Sequence, residues 1–143
     1  ITVATTRPET MFADVAIAVN PSDKRYKKYI WKNVQIPIVN REIPVIWDYD
    51  VDITFGTWAL KITPTHDKAD YEIAKRHNLP IEKYAIDKNW KLTEICGNFS
   101  GIDAKNAINL IIDHLQDIWN IEKIEDYTHN VPKCERCDTL VQP

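Results

Sequence analysis

The sequence predicts an α+β domain, and three observations carry that expectation. Short segments with period-2 alternation are scattered along the chain, one long amphipathic helical stripe lies near its far end, and the few helices do not alternate regularly with strands. At 143 residues with 44% hydrophobic content, the chain suits one compact domain with its own core.

Taken in order, alternation places strands at residues 1–6, 15–19, 34–39, 43–47, 59–63, 83–86 and 121–125. Residues 41–44 and 48–50 read as turns from their Pro and Asp. Short helices are expected at 22–30 and 67–77. The clearest helix is 103–119, where Ala107, Ile108, Ile111, Ile112, Leu115, Ile118 and Trp119 form an apolar stripe and Asp103 is placed to cap it. That stripe reads as core and not as a partner face. There is no internal repeat or low-complexity tract.

Residues 62–70, ITPTHDKAD, are the most informative segment. Leu60 and Ile62 fall on one strand face, Lys61 and Thr63 on the other. Pro64 lacks a ladder donor and biases Thr63 toward extended geometry, so the strand stops there. Asp67 can cap the following helix, and Asp70 sits in its first turn, where the helix dipole favours an ionised carboxylate. Asp70 therefore reads as a fixed anion that can hold an ammonium, not as a general base with a raised pKa. In the blander alternative, Asp67 is only a cap and Asp70 only dipole compensation. Residues 1–7 repeat the design, with Thr5 and Arg7 on one face and Pro8 ending the strand. The loop beyond adds Thr10 and two acids, Glu9 and Asp14, ahead of the apolar run 15–19. If the two strands are neighbours, Thr5, Arg7, Lys61, Thr63 and Asp70 converge at one end of a sheet. Taken singly, each strand also reads as a β-favouring Thr run, with Arg7 a solvated edge residue.

The stretches TTRPETMFADVAIAVNPSDKRY, REIPVI, FGTWALKITPTHDKADYEIAKRHNLP and THNVPKCERCDTLVQP together resemble the editing domain (connective peptide 1) inserted in valyl-tRNA synthetases, which are class I aminoacyl-tRNA synthetases. The resemblance runs through essentially the whole chain. Related insertions in leucyl enzymes typically read TTRPDT, and isoleucyl ones have a Thr-rich, Trp-containing segment there. Glu9, the ITP before His66 and the NPSDKRY stretch favour the valyl branch over those two.

The resemblance implies a mixed β-barrel core flanked by helices over residues 1–130, with 131–143 a linker returning to the parent enzyme. It implies post-transfer hydrolysis of threonine wrongly esterified to valine tRNA. Valyl enzymes are the standard example of the need: a hydrophobic synthetic site rejects isosteric threonine by only about 10²-fold, so a second, hydrolytic sieve is required. By the same resemblance Asp70 binds the substrate α-ammonium, while Lys61, Thr63 and Asp67 surround the ester and the side-chain hydroxyl. Thr5, Arg7 and Thr10 line the site. Phe55 stacks on the terminal adenine, a contact worth about 1–3 kcal/mol, or else is a core residue before Gly56. The chain departs from the family at Trp58, where a Gly is common, at Ala13, also commonly Gly, and at Lys68-Ala69, commonly Pro-Asn.

No G-x-S-x-G elbow and no Ser, His and acid arrangement is present, so the expected reaction is direct attack by water on the ester, without a covalent intermediate. Thr63 and Lys61 would orient the water or stabilise developing charge. The proton acceptor stays open between the substrate's own ribose hydroxyl and His66, and a lone histidine near a helix start is more often a packing or hydrogen-bonding residue. Two other classes are carried beside this reading. One is a non-catalytic module for the tRNA 3′ end and its aminoacyl group, kept in view by Trp58. The other is a metal-dependent hydrolase using His66, Asp67 and Asp70, against which stands the lack of any distant ligand cluster.

Net charge is −3 and the pI about 5.8, which argues against strong independent RNA binding. Affinity for tRNA is expected from the parent enzyme, with only the 3′ end entering here. The clusters Lys24, Arg25, Lys27, Lys28 and Lys75, Arg76 read as solvated faces. No run of about 18 apolar residues suggests a membrane span. A chain opening at Ile1 in mid-strand reads as an excised insertion, a monomer on its own, from a cytosolic parent. Three cysteines are too few for a disulfide framework. Cys134 and Cys137 have the C-x-x-C spacing of half a tetrahedral zinc site, with only Cys96 besides. In the resembled family the matching pair can lie outside the insertion, so any zinc would be structural, and no cofactor is expected for editing.

Overall fold

The computed structural model of the chain describes residues 1–54, 56–128, 130–131, 133–138 and 141. Strands β1 (Ala16–Val19), β2 (Asn33–Ile36), β3 (Arg41–Trp47) and β4 (Ala59–Ile62) form one mixed sheet in the order β2-β3-β1-β4. β1 is parallel to β3, with Ile17 opposite Val45, and antiparallel to β4, with Ala16 opposite Ile62. β2 and β3 are antiparallel. The α+β class holds, but the expected barrel does not: among the described residues the sheet is open, with β2 and β4 as its edges. Strands expected at 1–6, 83–86 and 121–125 form no ladder, and the second is reduced to a bridge between Ile86 and Leu92. Alternation marks an extended, half-buried chain; it does not supply a partner edge.

The interior positions of β1 are all buried because both faces of the sheet are covered. Ile17 and Val19 join Phe12, Val45, Ala107, Ile111 and Leu115 in one cluster, which brings in helix α2 (Ala104–Asp117). Ala16 and Ala18 join Ile46, Ile62, Ile73 and Ala74 in the other, which brings in helix α1 (Lys68–Arg76). A strand buried on both sides reads as a continuous apolar run, as VAIAV does. Ile111 has no exposed surface, and its truncation in Ile111→Ala should cost about 2–5 kcal/mol. Urea titration would show this as a lower midpoint at unchanged slope.

Both helices begin on the expected caps: Asp67 accepts from the backbone N–H of Ala69 and Asp70, and Asp103 from those of Lys105 and Asn106. The α2 stripe is core as far as Leu115. Trp119 instead lies beyond the helix at φ 59° and is 93% exposed. At 22–30 only a 3-10 turn, Lys27–Tyr29, forms, with Asp23 accepting the Arg25 backbone N–H just before it. The turn expected at 41–44 is the start of β3. Pro44 is tolerated there because the parallel ladder to β1 starts only at Val45, leaving one side of β3 unpaired at Pro44.

Candidate active site

The antiparallel pairing of β1 and β4 builds the centre of the site. Its last rung, Val15 N–H to Ile62 C=O at 2.8 Å, sets Asp14 beside Thr63. Thr63 donates its hydroxyl proton to Asp14 Oδ1. Lys61 Nζ donates to Thr63 Oγ1, to Thr10 Oγ1 at 3.3 Å and to Asp14 Oδ1 at 3.4 Å. An ammonium has three N–H donors, so Lys61 can be fully engaged inside this cluster. The proton of Thr10 goes to the Arg7 carbonyl at 2.9 Å. Burial pushes the Asp14 carboxyl up, opposed by Lys61, the Thr63 hydroxyl and Arg41.

Asp70 approaches from the first turn of α1. One of its oxygens accepts the Thr63 backbone N–H at 2.8 Å; the other has no hydrogen-bond partner, and no cation lies within ion-pair distance, among the described residues. Its carboxyl is raised to about 6, chiefly by burial, with Thr63 N–H and Lys61 pulling down and the Asp67 and Asp14 charges pushing up. The expected direction is therefore reversed: removal from water outweighs the helix dipole. The group is still mostly ionised at pH 7, by about tenfold.

Asp67 is exposed, and its Oδ1 is committed to the Ala69 and Asp70 N–H groups at 2.8 and 3.0 Å. Its role in the geometry is the cap. Asp67→Ala should cost about 1 kcal/mol in a urea melt, and should also lower the Asp70 pKa by removing a neighbouring negative charge.

The N-terminal segment meets this cluster without forming a strand. Arg7 Nε pairs with Glu9 at 3.1 Å, and its Nη1 reaches the His66 carbonyl at 3.4 Å, tying the TRPET turn to the segment before α1. Thr10 reaches Lys61 as described. Thr5 is exposed, with its Oγ1 accepting the Arg7 N–H at 3.0 Å, and makes no hydrogen bond to Lys61, Thr63 or Asp70. His66 is buried, and its Nε2 accepts the Ala85 N–H at 3.0 Å. That lone pair is not available as a base. His66, Asp67 and Asp70 thus face different partners, and the metal-hydrolase arrangement is not formed by them.

Asp14 and Arg41 were not singled out as site residues from sequence. Arg41 Nη2 donates to the carbonyls of Phe12 and Asp14 at 2.7 and 2.8 Å, holding the turn that presents Asp14. The available signal was a lone carboxylate between apolar runs, which requires a buried partner. That partner, Lys61, is 47 residues away.

Residues 30–116 match the family model described as Leucyl-tRNA synthetase, editing domain. The chain belongs to this editing-domain family. It is 50% identical over its full length to Valine--tRNA ligase of Thermotoga maritima and 52% to that of Chlorobaculum tepidum, and it spans 16% of the length of each. In fold it is similar to a structure described as GlLeuRS-CP1 (TM-score 0.66, 15% identity, covering 90% of this chain and 83% of that one). It is also similar to LeuRS of Agrobacterium radiobacter K84 in a ternary complex with tRNA and LeuAMS (TM-score 0.65, 19% identity, covering 84% of this chain and 17% of that one).

Phe55 of the editing domain lies outside the described residues. Trp58, the departure from the family pattern, is capped: the Arg25 guanidinium stacks 3.7 Å from its ring centroid and is itself held bidentately by Asp23. Arg25 is thus not part of a simple solvated face. Neither is Arg76, which pairs with buried Asp48 and with Asp50 while His77 Nε2 contacts the same Asp48. Cys134 is half-buried, and its carbonyl accepts the Asp138 N–H at 2.9 Å across the turn that carries Cys137. Cys96 is buried, with its thiol pushed up to about 11 by burial, and donates to the Ala85 carbonyl. It is unsuited to ligation as a thiolate. Among the described residues no group of three or more His, Cys, Asp or Glu side chains forms a cation site.

Proposed function

We propose that this editing domain hydrolyses threonine wrongly esterified to valine tRNA, after transfer, by direct attack of water. One observation carries the reading. Asp70 is a buried carboxylate, mostly ionised at neutral pH, with one oxygen fixed by Thr63 N–H and no cation paired to it among the described residues. An α-ammonium is the cation that completes it. Anchored there, the aminoacyl group presents its carbonyl to water beside Thr63 and Lys61, and the polar cluster of Thr10, Thr63 and Lys61 suits a hydroxylated side chain better than an isopropyl one. Water adds to the carbonyl, the ester C–O bond breaks, and the departing ribose oxygen takes the proton. No step requires His66. The 3′ end of the tRNA enters this domain, while the rest of the tRNA is held by the parent synthetase. Cys134 and Cys137 have the spacing of half a tetrahedral site and would hold a structural zinc only together with two ligands from the parent.

The test is deacylation of threonyl and valyl valine-tRNA by this chain, with Asp70→Ala and an EDTA arm in parallel. Loss of threonine alone, insensitive to EDTA and abolished in the variant, is the expected result. Equal loss of both amino acids, or inhibition by EDTA, overturns the reading.

A further inference from the structure

Two acids, Asp14 and Asp70, and one lysine, Lys61, share the centre of the site, and the way they are paired is not the simplest one. Lys61 is the cation nearest to hand for Asp70, and its field does act on that carboxylate. Yet its hydrogen bonds go to Asp14, Thr63 and Thr10, and its ion pair within 4.0 Å is with Asp14. Asp14 sits just before β1, held by Arg41 through the two backbone carbonyls around it. It is 5% exposed, and the side chains of Asp14 and Lys61 are 7% and 12% exposed.

We propose that Asp14 is a positioning residue that sequesters Lys61, so that Asp70 stays unpaired for the ammonium of the ligand. The charge count supports this: two carboxylates against one ammonium leave one negative charge, and the geometry places it on Asp70. Without Asp14, the Lys61 stem, which leaves β4 two residues before the amide that binds Asp70, carries its charge to Asp70 and occupies the ligand's place. The proposal rests on the ammonium-binding reading above and adds the device that keeps the site vacant. The charged groups acting on Asp70 are Lys61 from β4, Asp67 from the cap of its own helix, and Asp14 from the segment before β1. Arg41 from β3 acts on Asp14.

Asp14→Asn tests it, since the amide keeps the shape and an acceptor oxygen for Thr63 while losing the charge. The first measurement needs no ligand: carboxyl carbon NMR titration of Asp70 in the free chain. Wild type is expected to titrate near 6. Asp14→Asn should titrate at lower pH, because Lys61 now pairs with Asp70 and a neighbouring negative charge is gone. An unchanged or higher Asp70 titration overturns the proposal whatever the substrate proves to be. The second measurement is calorimetric binding of a non-hydrolysable threonyl-3′-amino-adenosine. Asp14→Asn should weaken it by about tenfold to a hundredfold, the worth of one hydrogen bond to a charged group. The double variant Asp14→Asn/Lys61→Gln removes the competing cation and should recover binding, which a purely structural role for Asp14 does not predict. It also strands no charge where the Asp14–Lys61 pair stood, so it serves as the folded control if the single variant is unstable. Failure of the double variant to bind better than the single one overturns sequestration. Failure of wild type to bind the probe, with the titration difference intact, removes the ammonium reading and leaves the pairing of Lys61 with Asp14 standing.

Discussion

Asp70→Asn is expected to give a protein that melts at higher temperature and no longer deacylates the threonyl ester. Folding raises the Asp70 carboxyl from an ordinary 3.8 to about 6, so the folded state holds this proton more tightly than the unfolded chain does. The sign follows: below pH 4 the residue costs nothing, and as pH rises through 6 its ionisation opposes folding by up to about 3 kcal/mol. Asparagine keeps an acceptor for the Thr63 N–H and removes that cost, so the gain should be absent near pH 4 and full at pH 7. Activity moves the other way. Loss of the charge proposed to hold the substrate ammonium should lower kcat/KM for the threonyl ester by about 10²-fold or more. In wild type the same group sets an acid limb near pH 6, below which kcat/KM falls as Asp70 takes up its proton. Thermal melts and deacylation rates on the same two proteins between pH 4 and 8 check both halves. A variant that is less stable at pH 7, or an acid limb that persists in it, contradicts this account.

Lys61→Met should be the most damaging single change in the site. It removes the buried cation of an ion pair, leaving Asp14 almost wholly enclosed with Thr63 and the more distant Arg41 charge to support it. Breaking a buried pair from one side costs about 3–5 kcal/mol. The loss depends on pH. Burial already raises Asp14, and without Lys61 it rises further, so the folded state increasingly favours the neutral acid. Destabilisation should therefore be modest near pH 4 and grow as pH rises toward 8. Adding Asp14→Asn should return most of the lost stability, since the carboxylate that Lys61 paired with is then gone. Urea unfolding of wild type, the single and the double variant at pH 5 and pH 8 provides the check, and a pH-independent loss contradicts it.

Much of this was legible in local pattern. The caps Asp67 and Asp103, the stop at Pro64, the apolar run of β1 and most of α2 follow from spacing and side-chain chemistry within a few residues. The segment around Asp70 was likewise legible, as were Lys61 and Thr63 as neighbours, whereas Thr5, expected beside them, points to Arg7, and Thr10 entered as a neighbour only through the family resemblance. What was not legible depends on partners far along the chain. Alternation at 1–6 describes an extended segment but cannot say that no strand lies beside it. Pro44 reads as a turn until β1 is known to pair only from Val45 onward. Asp14 reads as a loop acid until Lys61 is brought to it, and the raised Asp70 pKa reflects burial, which no helix-dipole argument from sequence contains. Trp58 was conspicuous in sequence, but its stacking under Arg25 depends on a contact between separate loops.

The rung joining Val15 to Ile62, and the Thr63 amide bonded to Asp70 just beyond it, have a consequence for how the domain is lost. These amides lie at the end of the pairing between β1 and the edge strand β4, where Ile62 and Thr63 are buried. Their hydrogens can exchange with solvent only when β4 comes away from β1, and the same event scatters Lys61, Thr63 and Asp70. The protein should therefore have no frayed intermediate that keeps half of its site. Protection of the Thr63 amide and deacylation activity should disappear at one denaturant concentration, so a molecule that escapes proteolysis is also one whose site is intact.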